Sequence, residues 1–127
     1  MKPRGIDFGR YTQWQTSPTP IDFVIAGVTS GNYVVNHYSE NLPFYLQEPR
    51  LMAYHFFEPV SAQVQADIFS QKAEECGAKA LWIDWENYSG HALTTGDVNT
   101  LTALYGILNA RFPRVGIYSN HDSFIVC

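Results

Sequence analysis

Five short apolar runs, separated by segments of helical periodicity, constrain the fold of this chain more than any other feature. The runs are Gly5-Ile6-Asp7-Phe8, Phe23 to Val28, Leu51 to Phe57, Ala80 to Trp85, and Val115-Gly116-Ile117-Tyr118, each bounded by Pro, Gly, Asn or Ser. Each predicts a short strand buried on both faces. From Ser61 to Cys76, the residues Ala62, Ala66, Phe69, Ala73 and Cys76 fall on one helical stripe, and Gly77 offers a C-terminal stop. From about Asp97 to Phe112, Val98, Leu101, Leu104, Tyr105, Leu108 and Phe112 repeat at helical spacing until Pro113. A weaker helix is predicted over roughly Tyr38 to Gln47, with Pro43 awkward inside it. Strands that alternate with helices of this length join through right-handed crossovers into a parallel sheet, so the expected class is α/β with about five strands.

At 127 residues the chain has the length of one domain and can bury a real core. It is 46% apolar and 15% aromatic but only 16% charged, which excludes disorder. A net charge of -4, with Lys and Arg scattered singly, leaves no basic stripe for phosphates, so no nucleic-acid partner is expected. Cys76 and Cys127 show neither metal-ligand spacing nor a disulfide framework. The N-terminus, MKPRGIDF, has no apolar segment behind its charges, and no run approaches the ~18 residues of a membrane span. Neither a signal peptide nor a span is expected in these residues.

Ligands of parallel sheets meet the carboxyl ends of the strands, where the following loops gather. Polar residues at those ends are therefore the candidates. The stretch Ala80-Leu81-Trp82-Ile83-Asp84-Trp85-Glu86-Asn87 ends an apolar run in two carboxylates. Side chains alternate along a strand, so Asp84 and Glu86 share a face, with Cα atoms about 6 to 7 Å apart. A neutral acid beside an ionised one is what glycosidic bond cleavage requires, and neighbouring acids tend to divide in that way. An Asp-x-Glu also fits two solvated acids at a strand end. Asp7 closes the first run as Asp84 and Glu86 close the fourth, so in a barrel-like sheet all three converge on one rim. Tyr54 and Phe56 on the third long strand, with Tyr118 and Asn120 at the fifth, offer stacking faces and hydrogen bonds for sugar rings. Taken singly, each aromatic fits a core position equally well.

The motifs GIDF at 5 to 8, IDFVIAGVTSG at 21 to 31, AYHFF at 53 to 57, QVQADIF at 63 to 69, WIDWEN at 82 to 87 and GIYSN at 116 to 120 follow one another as in a known family. In that order they resemble the successive strand motifs of glycoside hydrolase family 25. Those lysozymes cleave the β-1,4 bond after N-acetylmuramic acid in peptidoglycan. The resemblance implies a parallel (β/α) barrel of TIM type and a muramidase acting on cell-wall glycan strands outside the cell. It implies Glu86 as general acid, Asp84 as its partner assisting attack by the substrate's 2-acetamido group, and Asp7 as the acid of the first strand. Tyr54 and Tyr118 match positions that line the groove. The implied reaction needs no metal and no cofactor, and His37, His55, His91 and His121 show no ligand spacing.

Two departures accompany the resemblance. Gly27-Val28-Thr29-Ser30-Gly31 stands where the family usually reads Lys-Ala-Thr-Glu-Gly, so a lysine and an acid are replaced. An eight-stranded barrel needs at least ~200 residues, so residues 1–127 are expected to form a single family 25-like domain truncated after about five strands. Its open flank is covered if the chain is a piece of a longer protein, if it self-associates, or if Asp122 to Cys127 adds an edge strand, and of these a homo-oligomer is expected. Two rivals remain. Family 18 chitinases also end a barrel strand in an Asp-x-Glu, though with an earlier aspartate where Trp82 stands here. A non-catalytic wall-binding module would keep the groove without turnover.

Overall fold

The computed structural model describes residues 5–8, by their backbone, together with residues 22–87 and 92–119. Six strands and three helices follow one another: β1 (Gly5–Phe8), β2 (Phe23–Ser30), β3 (Tyr33–Val34), α1 (Tyr38–Tyr45), β4 (Leu51–Phe56), α2 (Ala62–Cys76), β5 (Ala80–Trp85), α3 (Thr95–Arg111) and β6 (Val115–Ser119). The five longer strands pair in parallel in the order β1-β2-β4-β5-β6, while β3 turns back antiparallel on β2. Neighbouring strands in space are thus neighbours in sequence. That is a five-strand arc of a (β/α) barrel, in the α/β class the periodicity predicts.

Local chemistry sets the helix ends. Ser61 caps α2 by accepting the Val64 N–H, and Gly77 ends it in the left-handed region at φ 75°. Thr94 and Asp97 form a reciprocal capping box, so α3 begins two residues before the expected Asp97. α1 ends at Tyr45, short of the predicted Gln47, and holds Pro43 within its last turn. Two features of β2 were not predicted. Gly31, at φ 53°, opens a two-residue turn into β3, a position that favours glycine. A bulge at Val28 shifts the register against β4, from Gly27 opposite Tyr54 to Thr29 opposite His55.

The expectation of strands buried on both faces is corrected by the burial pattern. Along β4 and β5 fully buried and half-buried residues alternate. Leu51, Ala53 and His55 of the first, continued by Phe57 just past its end, and Leu81, Ile83 and Trp85 of the second, face the helices; the alternate residues face the concave side. The core lies between sheet and helices, where Phe57 packs on Trp85 with ring centroids 4.8 Å apart, among Phe69, Leu101, Leu104 and Leu108. Arg111 ties α3 to α2 through Asp67 Oδ1 and Ser70 Oγ, both at 3.0 Å.

Inside that core sits a polar chain. The Glu58 N–H donates to Gln65 Oε1, and Gln65 Nε2 donates to the carbonyls of Glu58 and Val60, so the backbone settles which way the amide faces. Gln65 Oε1 therefore accepts from His55 Nε2 at 2.7 Å, and His55 Nδ1 accepts from the Thr29 hydroxyl at 2.8 Å. The imidazole also stacks on Phe69, with centroids 5.3 Å apart. Every polar atom of the ring is satisfied in the neutral form. Burial lowers its pKa to about 4, against a smaller raising effect of the Gln65 hydrogen bond.

Because the folded pKa lies below the unfolded value near 6.5, the unfolded chain binds the extra proton between those limits. The stability contributed by neutral His55 is complete above pH 6.5 and declines as pH falls toward 4, by up to about 3 kcal/mol. Urea unfolding at a series of pH values should show that slope in the wild type, and a shallower one in His55→Gln. Equal slopes would mean that other groups set the acid response.

Candidate active site

β5 lies between β4 and β6, so its ladder positions are held from both sides: Phe56 pairs with Asp84, and Asp84 with Tyr118. The Phe57 N–H continues this ladder by donating to the Asp84 carbonyl at 3.0 Å. With the backbone pinned, alternation carries Trp82, Asp84 and Glu86 onto the concave face and Leu81, Ile83 and Trp85 into the core.

The concave face holds a pocket of about 460 Å3, lined by Ile25, Tyr54, Trp82, Asp84, Glu86 and Tyr118. Asp84 and Glu86 thus open into one space, as predicted from their spacing. The volume lies within the range of small-ligand sites, and the lining joins apolar ring surface to a few convergent polar groups. The lining includes two carboxylates and no Lys or Arg among the described residues. Asp84 Oδ1 is fully buried, so this acid is the deeper part of the polar lining. Glu86 is half-buried, just past the end of β5.

The predicted site residues distribute as follows. Tyr54 and Tyr118 line the pocket, the latter 57% exposed on β6. Phe56 stands in register with Asp84 but is not part of the lining. Asp7 stands on β1 in register with Ile25, itself a lining residue. Asn120 lies outside the described residues. Trp82 and Ile25 were not anticipated. The signal for Trp82 was present, since it shares the parity of Asp84 and Glu86.

The divergent second-strand motif has a structural consequence. Gly27 lies under the Tyr54 ring: a methyl group there would come within 2.6 Å of the phenol carbon and oxygen. Ser30 donates its hydroxyl to Glu58 Oε1 at 2.8 Å, and Glu58 Oε2 occupies the space a side chain on Gly31 would need. A carboxylate therefore reaches the end of β2 from beyond β4. The exit from β5 is braced as well, because Asn87 Oδ1 accepts the Leu93 N–H at 3.0 Å. Cys76 is not part of the lining and is buried, which pushes its thiol up to about 11, so it offers the pocket no nucleophile. No group of three or more His, Cys, Asp or Glu among the described residues could hold a metal ion, and no described helix is long and apolar enough to cross a membrane.

No protein-family model matches this sequence, and no curated protein matches it significantly. Solved structures do. A family 25 glycosyl hydrolase from Bacillus anthracis aligns with a TM-score of 0.80 at 22% identity, over 98% of this chain and 64% of its own. A muramidase from Acremonium alcalophilum aligns at 0.75 with 19% identity, over 99% of this chain and 69% of its own. A bacterial lysozyme from Streptomyces coelicolor gives 0.61 and 27% over 78% of this chain and 52% of its own. The chain therefore spans less than two thirds of the Bacillus structure. The likeness shows a shared fold, related to that of the family 25 muramidase-like structures.

Removing the brace behind Glu86 has a defined cost. Asn87→Ala leaves the Leu93 N–H without this acceptor and should lower stability by about 1 kcal/mol in urea unfolding. An unchanged midpoint would show that water replaces the bond.

Proposed function

We propose that this chain belongs to glycoside hydrolase family 25 and is a peptidoglycan muramidase domain acting at the cell wall. The observation that carries the reading is that Asp84 on β5 and Glu86 just past its end open together into a pocket lined by aromatic rings. The shared fold with a family 25 glycosyl hydrolase and a muramidase supports it.

In this reading Glu86, nearer to solvent, protonates the glycosidic oxygen as the bond to the N-acetylmuramic acid carbon breaks. The carbonyl oxygen of the substrate's own 2-acetamido group attacks that carbon from the opposite face. Asp84, deeper in the pocket, accepts a hydrogen bond from the acetamido N–H and offsets the positive charge that develops there. Water then opens the intermediate as Glu86 takes back a proton. Asp7, on the first strand, adds the third acid of the site. Tyr54 and Tyr118 bound the groove for the glycan, and Phe56 and Asn120 are further candidate contacts in this reading.

A second reading, a wall-binding module without turnover, is favoured by one observation: Gly27 and Ser30 replace a lysine and an acid of the family motif. A single comparison separates the two. Wild type should release new reducing ends from purified peptidoglycan, and Glu86→Gln should lower the rate at least ~100-fold while leaving the fold intact. Sedimentation with peptidoglycan that is indifferent to Glu86→Gln, without any release by wild type, would establish the binding module instead.

A further inference from the structure

Trp82 is held at both ends. Its indole Nε1–H donates to Met52 Sδ on β4 at 3.5 Å, and its benzo edge rests over Gly116 on β6. A methyl group on Gly116 would lie 2.5 Å from Trp82 Cζ3 and 2.8 Å from Cε3, so the ring sits as low as it does only because Gly116 has no side chain. The long axis of the indole therefore runs across three strands, one step below Asp84 on the same face. On the other side the same device recurs, with Tyr54 leaning over Gly27. Gly27, Tyr54, Trp82 and Gly116 form one lateral row of the sheet, two rings framed by two glycines.

A lateral row of this kind makes a broad apolar surface directly beneath the two carboxylates, inside a pocket whose described lining carries no cation. The axial C–H groups of a pyranose match such a surface, while its hydroxyl and acetamido groups reach the acids above. Core filling alone does not require this arrangement, since Trp82 remains half-exposed to the pocket while Trp85, three residues on, is buried. We propose that Trp82, seated by Gly116, is a substrate-contacting residue that stacks under the sugar whose bond is cleaved. This inference rests on the muramidase reading and deepens it by assigning the floor of the site.

The test uses the full chain, uniformly 15N-labelled, titrated with the disaccharide N-acetylglucosaminyl-β-1,4-N-acetylmuramic acid, which lacks the cleavable bond. The Trp82 indole N–H resonance, assigned by its loss in Trp82→Phe, should shift while that of Trp85 on the opposite face stays in place. Gly116→Ala and Trp82→Ala should each weaken binding about tenfold, with Trp82→Phe between them and wild type. Circular dichroism verifies that the variants fold, and the wild-type resonances decide the matter if either does not. Binding that leaves the Trp82 resonance unmoved, or that survives both substitutions unchanged, overturns the floor and leaves the muramidase reading standing. No binding at all, together with no release of reducing ends from peptidoglycan, overturns both.

Discussion

β5 has a hydrogen-bonded neighbour on each side, and that constraint governs everything built around it. A strand pinned from both sides cannot rotate, so its side chains divide strictly between two faces. Leu81, Ile83 and Trp85 take the helix side, where Phe57 and the stripes of α2 and α3 close over them. Trp82, Asp84 and Glu86 take the other. The stability of the core face thus fixes the geometry of the polar face, because a slip of one residue would bury both acids and expose Trp85.

The core face carries a polar element that is as directional as the ladder itself. Thr29, His55 and Gln65 link β2, β4 and α2 in one chain of hydrogen bonds that ends on the backbone beyond β4. The bulge at Val28 is what lets Thr29 join it, by bringing both residues to the helix side. Each donor in the chain has one acceptor that fits. A network satisfied in this way selects one packing of α2 against the strands, in a manner that apolar contacts, which tolerate sliding, do not.

The concave side follows a different economy of space. In a closed barrel, interior positions are filled by layers of side chains. Here two glycines in one row let two large rings spread sideways rather than stand upright, leaving a pocket above them. Gly27 is part of that pattern, because Tyr54 occupies the space that a side chain at this position would take.

Much of this was legible in the residues. Periodicity identified α2 to within a residue, with its Ser61 start and Gly77 stop, because caps and stripes are local. Spacing alone placed Asp84 and Glu86 on one face, because alternation needs only a strand. The parallel order followed from helices long enough to cross over. Tertiary structure decided the rest. The bulge at Val28 and the β2–β3 turn depend on pairing with partners distant in sequence, and so does the half-burial of strands that their composition made look fully enclosed. In sequence, parity alone sets Trp82 on the face of Asp84 and Glu86. Only the register that sets it between Met52 and Gly116 makes it a floor, since which side chain lies opposite another is a property of the sheet and not of the chain.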